Sequence, residues 1–303
     1  FGALAAGRAC VPPRTAVPAG EDAVLLVMPA ALAAAPGDDG GLGAKLVTYF
    51  GGNRARGHPT LYASYLLLDA GSGRPLAFLE ASFVTAIRTG ATSALAARLL
   101  ARPGAERLAC FGAGVQAAFQ VRCLAAVLPI RHVTVVGRDP DRARRLAGAL
   151  AGELGVAAEA SGDGSGAVRE ADVVTCATTS PTPVVHGADL RPGAHVDAVG
   201  AFRPGDRELD TEAVRRARLV VDTYAGALAE AGDVLIPLRE GAIGRDHVAG
   251  ELAELVSGAC RGRLAPDDIT LFKSVGCALE DLATARLAYD LARRHAVGTE
   301  VAL

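Results

Sequence analysis

Leu108-Ala-Cys-Phe-Gly-Ala-Gly-Val-Gln-Ala117 is the stretch that decides the fold. A short apolar run leads into Gly112-x-Gly114-x-x-Ala117, and a helical repeat follows, as in a strand that enters a phosphate-binding turn. Gly112 permits the tight turn, Gly114 lets the backbone approach a pyrophosphate, and Ala117 lets the next helix pack closely on the sheet. The cofactor-binding residues predicted from this pattern are Gly112, Ala113, Gly114, Val115, Gln116 and Ala117.

The next strand indicates which dinucleotide binds. His132-Val-Thr-Val-Val136 has the β-branched composition of a buried parallel strand, and Gly137-Arg138-Asp139 follows it. An acidic residue at the first of these positions would accept the ribose 2′-hydroxyl of NAD. Here that position is Gly137, and the Arg138 guanidinium can bind a 2′-phosphate instead. The pattern therefore favours NADPH. NADH stays the alternative because Asp139 could accept the ribose hydroxyl, although it could also cap the next helix. Arg138 can also be read as a solvated loop residue.

Strands and helices alternate between residues 99 and 222, which predicts an α/β fold with a doubly wound parallel sheet of the Rossmann type. The predicted strands are Leu108–Phe111, Val133–Val136, Val173–Ala177, Ala194–Val199 and Leu219–Asp222. The predicted helices include Pro140–Leu154 and Asp210–Ala217, and Ser161–Gly166 is predicted to be a loop.

The two ends of the chain predict a second, discontinuous α+β domain. Its predicted strands are Val24–Pro29, Ala44–Phe50, Leu61–Leu68 and Pro75–Glu80, in an antiparallel or mixed sheet. Two long helices are predicted at Ser82–Leu100 and Ser274–His295. We expect residues 1–95 and 274–303 to form this domain and residues 96–273 to form the nucleotide-binding domain.

The composition argues against several classes of partner. The chain has 303 residues, a net charge of −2 and 21% charged residues, which gives no reason to expect nucleic acid or an anionic membrane as a partner. No apolar run approaches the roughly 18–20 residues of a membrane span. The six cysteines and six histidines are scattered without ligand spacing, so we expect reduced thiols, no metal and a cytoplasmic protein. The chain begins at Phe1, so we expect its natural N-terminus to be missing.

Five collinear segments resemble the ornithine cyclodeaminase/μ-crystallin family. They are Arg14-Thr-Ala-Val-Pro18, Ala44-Lys-Leu-Val47, Thr85-Ala-Ile-Arg-Thr-Gly-Ala-Thr-Ser-Ala94, Phe111-Gly-Ala-Gly-Val-Gln116, and Leu271-Phe-Lys-Ser-Val-Gly276 followed by Glu280-Asp281. The resemblance covers nearly the whole chain. It implies an NAD(P)-binding Rossmann domain, a discontinuous substrate-binding and dimerisation domain, and a homodimer.

The resemblance also implies that an α-amino or α-imino acid binds beside the nicotinamide. Arg14 and Arg88 match the cations that hold the substrate carboxylate, and Lys45 matches the catalytic lysine near the reacting carbon. A carboxylate in a dry pocket needs paired positive charge, which these residue types supply. Thr89 and Val199 are predicted to contact the cofactor. Taken singly, Arg14 could instead be a loop arginine in a surface ion pair, Lys45 a lysine at a strand edge and Arg88 a residue on a helix face.

Two departures from the family pattern select the reaction. In Ala198-Val-Gly-Ala-Phe-Arg-Pro204, Phe202 replaces the general-base Asp of the cyclodeaminases, and Leu26 replaces the Glu that binds the distal amine of ornithine. Losing a positioned carboxylate is costly for oxidative deamination, but the reduction of an already protonated imine tolerates it. The Val-Gly-x-Phe-x-Pro form resembles members that reduce Δ1-pyrroline-2-carboxylate and Δ1-piperideine-2-carboxylate. We therefore predict NADPH-dependent ketimine reduction to proline or pipecolate, with Phe202 binding the substrate.

Alternatives to this function stay open. A dehydrogenase of alanine or of an N-substituted amino acid would share every motif quoted above. Ornithine cyclodeaminase is a weaker alternative, and a non-catalytic, NADPH-dependent binder of small ligands belongs to a different class. Of the adjacent residues Glu280 and Asp281, we expect one to line the pocket and the other to be a charge on the helix surface. The sequence assigns no chemistry to Lys273 or Asp233.

Overall fold

The computed structural model describes residues 1–301 and divides the chain into two compact units. One unit comprises Phe1–Arg88 together with the residues from Cys277 onward, and the other comprises Thr89–Gly276. The predicted boundaries lay after residues 95 and 273. The substrate-binding and dimerisation roles of the first unit stay predictions.

Fourteen strands and ten α-helices are present in the described residues, besides three short 3₁₀ helices. The strands are β1 (Ala9–Cys10), β2 (Thr15–Gly20), β3 (Ala23–Leu32), β4 (Gly41–Phe50), β5 (Leu61–Leu68), β6 (Pro75–Glu80), β7 (Arg107–Phe111), β8 (His132–Val136), β9 (Ala157–Ser161), β10 (Val173–Cys176), β11 (His195–Ala198), β12 (Ala217–Val221), β13 (Val248–Glu251) and β14 (Ile269–Lys273). The α-helices are α1 (Gly2–Ala5), α2 (Ser82–Leu100), α3 (Val115–Val127), α4 (Pro140–Leu154), α5 (Gly164–Glu170), α6 (Thr211–Arg216), α7 (Tyr224–Glu230), α8 (Gly232–Arg239), α9 (Leu252–Ser257) and α10 (Ala278–Arg294).

The first unit is built on a six-stranded antiparallel sheet. The strand order is β1-β3-β4-β5-β6, and β2 also pairs with β3. One face of the sheet carries Met28, Val47, Tyr65 and Leu67 into an apolar core that also contains Leu282 of α10. Because side chains alternate between the two faces of a strand, this packing fixes the register of all the central strands.

The second unit is built on an eight-stranded parallel sheet in the order β13-β12-β14-β11-β10-β7-β8-β9. Alternate residues of β7 enter two separate apolar clusters, one around Leu108 with Val121 of α3, the other around Phe111 with Val168 of α5. Both faces of the sheet are therefore covered by helices, which is why its central strands read as continuous apolar runs. The predicted doubly wound fold is confirmed.

The chain changes direction in this sheet next to β7. From β7 it builds outward through β8 and β9, then returns to place β10 on the other side of β7. In a parallel sheet, the carboxyl ends of two such neighbours open into the crevice where ligands bind. The turn after β7 begins with Gly112, so the glycine pattern lies at this point.

The starts of helices α5 and α10 differ from the predicted boundaries, because hydrogen bonds to the side chains of Asp163 and Asp222 determine them. The predicted loop at Ser161–Gly166 is wrong from Gly164 onward, because Asp163 caps α5 by accepting the Gly166 N–H at 2.8 Å. Helix α10 begins at Ala278 rather than Ser274. The N–H groups of Val275 and Gly276 donate to the Asp222 carboxylate at 2.8 and 2.7 Å, which holds this segment out of a helix.

Within residues 1–301, no helix combines the length and the apolar character that crossing a membrane would require.

Candidate functional site

Lys45 lies at the centre of the antiparallel sheet with its side chain on the buried face. It is directly opposite Met28 on β3 and Tyr65 on β5, and 1% of it is exposed. Its Nζ lies 2.9 Å from Oδ1 and 2.8 Å from Oδ2 of Asp281, in the first turn of α10. A lysine is rarely buried to this extent without an ionic partner, so Asp281 is what allows Lys45 to be here.

Arg88 of α2 joins the same group of charges. Its Nη1 lies 2.7 Å from Oε2 of Glu280, and its Nε lies 3.1 Å from Oδ1 of Asp281. The carboxylate of Asp281 is therefore shared between Lys45 and Arg88. We call these four residues, two cations and two carboxylates, the charge cluster.

The prediction that Glu280 or Asp281 is a surface charge is wrong. Both residues are buried, and both contact Arg88. Adjacent helical residues point in different directions, but the guanidinium carries five N–H donors and reaches one carboxylate with Nη1 and the other with Nε.

The charge cluster changes the acidity of its members. Burial, together with the nearby Arg88 cation, lowers the pKa of Lys45 to about 8, although Asp281 opposes this shift. Burial also acts to lower the pKa of Arg88, but the carboxylates of Asp281 and Glu280 outweigh it and raise that pKa. At neutral pH the cluster thus presents two cations whose charge is balanced by two carboxylates.

Tyr65 is a further buried polar residue beside this cluster. Its hydroxyl has no hydrogen-bond partner among the residues that the structure describes, and burial followed by the Asp281 charge raises the pKa of the phenol. A Cβ on Gly43 would lie 2.7 Å from this hydroxyl, so the tyrosine ring occupies the space that a side chain at position 43 would need.

Arg14 lies beside the row of residues that contains Lys45, directly before another strand of the sheet. It directly precedes β2, whose first residue Thr15 is paired with Val27, the neighbour of Met28. Since Met28 is opposite Lys45, Arg14 lies next to the row that contains Lys45. Arg14 is half-buried. The structure thus brings Lys45 and Arg88 into one cluster, and it places Arg14 near them along the strand register.

The turn after β7, which we call the glycine turn, contains Gly112 and Gly114, and the structure requires glycine only at the first of these positions. Gly112 has φ +117°, and a Cβ there would lie 2.6 Å from the carbonyl oxygen of Ala177, so the fold itself demands glycine. Gly114 has an ordinary backbone conformation (φ −100°, ψ −174°), and nothing lies within 4 Å of a Cβ built on it. The fold would accept any residue at position 114. A group that approaches the backbone from outside the chain would explain the glycine, and a pyrophosphate at the N-terminus of α3 fits this requirement.

The turn after β8 carries the residues that were predicted to select the cofactor. Asp139 caps α4: its carboxylate accepts the N–H groups of Asp141 at 3.0 Å and Arg142 at 3.1 Å. Arg138 is exposed, with Nη2 3.5 Å from Oγ1 of Thr179. A Cβ on Gly137 would meet the Cβ of Ala113 at 3.3 Å, which leaves little room for an acidic side chain at that position. The N–H groups of Asp141 and Arg142 both donate to Oδ1 of Asp139, which shows the predicted helix cap.

The segment 199–202 follows β11 at the same edge of the sheet as the glycine turn. The N–H of Val199 donates to the carbonyl of Cys176 at 3.0 Å. Phe202 is 39% exposed, and the Arg203 guanidinium lies 5.8 Å from its ring centroid. Thr89, the remaining predicted cofactor residue, is half-buried in α2.

Sequence reasoning assigned no role to three charged residues that surround this segment. Lys273, Asp233 and Glu208 are all completely buried in the second unit. Lys273 was noticed only as part of a family-like segment, and Glu208 was not noticed at all. The sequence does contain one signal for these residues. Lys273 is a charged residue at the end of the apolar run Ile269–Lys273, which indicates a buried charge at the end of a strand.

Comparison with known proteins identifies relatives along the whole chain. The sequence profile of the ornithine cyclodeaminase/mu-crystallin family matches residues 1–296. A Delta(1)-pyrroline-2-carboxylate reductase from Bacillus cereus is 37% identical over 300 residues, covering 98% of this chain and 91% of the relative. The structure of the Thermococcus litoralis Delta(1)-pyrroline-2-carboxylate reductase in complex with NADH and L-proline is 40% identical, with a TM-score of 0.95, covering 99% of this chain and 92% of that one. An archaeal alanine dehydrogenase dimer with bound NAD is 32% identical, with a TM-score of 0.91, covering 99% of this chain and 90% of that one.

The charge cluster predicts an asymmetry in stability between buried and exposed arginines. Arg88→Ala leaves the buried Glu280 without its cation and is expected to lower the free energy of unfolding by about 3–5 kcal/mol. Arg215→Ala breaks an exposed pair with Glu212 and is expected to cost at most about 1 kcal/mol. Urea unfolding of both variants measures the difference. Adding Glu280→Gln to Arg88→Ala should restore part of the loss, and equal stability of the two single variants would contradict the assignment.

Proposed function

Because this chain belongs to the ornithine cyclodeaminase/mu-crystallin family, we propose that it reduces a cyclic ketimine with a nicotinamide cofactor. The proposed substrates are Δ1-pyrroline-2-carboxylate and Δ1-piperideine-2-carboxylate, and the products are proline and pipecolate. The proposed cofactor is NADPH, with NADH as the alternative. The observation that carries this proposal is the buried pair of cations, Lys45 and Arg88, which share the carboxylate of Asp281.

In this proposal, the two cations bind the carboxylate of the imine. Each already has a carboxylate partner at 2.7–3.1 Å, which stabilises its charge in the dry interior where the substrate carboxylate is proposed to bind. Fixing the carboxylate also fixes the neighbouring ring carbon, and this positioning is the catalytic contribution that we assign to Lys45. Arg14 is proposed to assist them from its place directly before β2.

The reaction that follows needs little acid–base chemistry from the protein. A bound reduced nicotinamide supplies a hydride, which adds to the imine carbon while the electron pair of the C=N bond moves to nitrogen. The iminium nitrogen already carries its proton, so it becomes a neutral secondary amine without a general acid from the protein. This is consistent with Phe202, which stands where the cyclodeaminases share an aspartate. It is also consistent with Glu280 and Asp281, whose carboxylates are already held in ion pairs.

The activity is tested by the oxidation of NADPH at 340 nm with each cyclic imine. We expect turnover that does not depend on ammonia, and Lys45→Met, which keeps the length and removes the charge, should lower kcat/KM by about 10²–10³-fold. Pyruvate with ammonia is the matched alternative substrate. Consumption of pyruvate but not of either imine would replace the proposal with alanine dehydrogenase activity. Tight binding of the imines without oxidation of any cofactor would replace it with a binding function.

A pH profile reports on Lys45 itself. If the Lys45 cation binds the substrate, kcat/KM should fall above about pH 8, where the lysine loses its proton. Asp281 raises the pKa of Lys45, so Asp281→Asn should move this alkaline limb to lower pH. The titration of the imine is the same for both proteins, so the shift between them belongs to the enzyme. An unchanged limb would remove Lys45 from the binding of the carboxylate.

The preference for NADPH is proposed to come from Arg138. The Asp139 carboxylate is used to cap α4, and Gly137 has little space for an acidic side chain. Arg138→Ala should raise KM for NADPH by about 10–100-fold, the equivalent of one charge-assisted contact, and leave KM for NADH nearly unchanged. Arg144→Ala on α4, whose arginine forms an exposed pair with Asp141, is the control. Equal effects on both cofactors would contradict this assignment.

A second copy of the chain is the partner that we propose for the outer face of the antiparallel sheet. Such a face is usually polar when water covers it, but here Leu46, Tyr62, Leu66 and Phe78 are 38–73% exposed on it. A contiguous apolar surface of this kind marks an interface. Light scattering after gel filtration should give a dimer, and Leu66→Asp should give a monomer. Leu264→Asp, at an exposed leucine in the other unit, should stay dimeric, and a monomeric parent protein would refute the interface.

A further inference from the structure

We propose that Lys273, Glu208 and Asp233 are positioning residues that hold the backbone of segment 199–202 in the conformation that catalysis requires. This inference rests on the proposed function, because Val199 and Phe202 of this segment are the residues proposed to contact the cofactor and the substrate. It assigns a role to three buried charges that neither the glycine turn nor the charge cluster uses.

The backbone from Val199 to Phe202 is held by opposite charges, an anion on two of its N–H groups and a cation on one of its carbonyl groups. The Glu208 carboxylate accepts the N–H of Gly200 at 2.6 Å and that of Ala201 at 3.3 Å. The Lys273 ammonium donates to the Ala201 carbonyl oxygen at 2.6 Å. Donors are thus bound by an anion and the acceptor by a cation, which fixes the direction of the backbone dipoles as well as their location.

The two clamping residues are themselves held by Asp233. One oxygen of Asp233 lies 2.8 Å from Nζ of Lys273, and the other accepts the N–H groups of Glu208 and Leu209 at 2.8 and 2.9 Å. Glu208 also accepts the Thr178 N–H at 2.7 Å, which attaches the segment after β11 to the segment after β10. The set therefore ties together the carboxyl ends of neighbouring strands.

The close approach leaves no room for a side chain at position 200. A Cβ on Gly200 would lie 2.3 Å from the carbonyl oxygen of Thr178 and 2.4 Å from Oε1 of Glu208. Position 200 must be glycine because the carboxylate and the neighbouring strand end occupy the space of a side chain. The fold has thus placed a fully buried carboxylate directly against this peptide.

Stability alone does not account for three fully buried charges at this place. Removing ions from water is costly, and well-packed apolar residues of similar volume are often as stable as a buried ion pair or more so. Apolar packing fills space, whereas charged hydrogen bonds also fix the orientation of the peptide between Val199 and Phe202. A small error in orientation is enough to slow a reaction that depends on the placement of its groups.

The test separates positioning from stability with a pair of variants. Lys273→Met removes the contact to Ala201 and leaves Asp233 as a buried, unpaired carboxylate, so it should lower both thermal stability and kcat. The double variant Lys273→Met/Asp233→Asn removes the unpaired charge but does not restore the contact. We expect it to regain most of the lost stability while kcat stays about 10–100-fold below that of the parent. If kcat recovers together with stability, the three charges are merely structural.

Hydrogen exchange provides a second readout that does not depend on the substrate. The amides of Gly200 and Ala201 should exchange faster in the double variant than in the parent, while the strand β8 exchanges at the same rate. Arg169→Met, which breaks an exposed pair with Asp189 in the same unit, is the control for both measurements. A parent protein that reduces no imine would refute the proposed function alone, whereas unchanged exchange at Gly200 and Ala201 would refute the positioning role alone.

Discussion

One carboxylate shared between two buried cations is the constraint on which the first unit depends. Asp281 lies within 3.1 Å of both Lys45 and Arg88, and without it two like charges would face each other in an apolar core. The arrangement sets the register of β4, because a slip of one residue would turn Lys45 to the outer face. It also joins α10 to the sheet and to α2, since Glu280 and Asp281 in the first turn of α10 both contact Arg88. Sheet register and the docking of α10 therefore depend on the same ion pairs.

The second unit uses buried charge for a different purpose. In the charge cluster, the cations face carboxylate side chains, whereas Lys273 and Glu208 also make hydrogen bonds to the backbone. Gly112 and Gly114 differ in a similar way. Gly112 is required by the carbonyl of Ala177, and Gly114 is explained by a ligand rather than by the fold. Gly114 is therefore the position in this turn that supports the proposed cofactor site.

Features set by neighbouring residues could be predicted from the sequence, and features set by distant residues could not. Helix α4 has the predicted bounds because Asp139 and Pro140 at its start and Gly155 at its end are local signals. The start of α10 was missed because it depends on Asp222, more than fifty residues earlier. Lys45 and Arg88 were found as motifs, but their carboxylate partners lie 236 and 192 residues away, and only the folded chain brings them together.

The charge balance of the cluster bears on the kind of acid that it suits. Two cations and two carboxylates sum to zero, so a ligand with no net charge leaves the buried group neutral. A cyclic ketimine in its protonated form is such a ligand, because its iminium charge cancels its carboxylate. A 2-oxo acid lacks the iminium and would leave one uncompensated negative charge in a region where Lys45 is 1% exposed. Since an unpaired charge is expensive away from water, this balance supports the proposed protonated imine, and an oxo acid would need a further cation such as Arg14 to offset its charge.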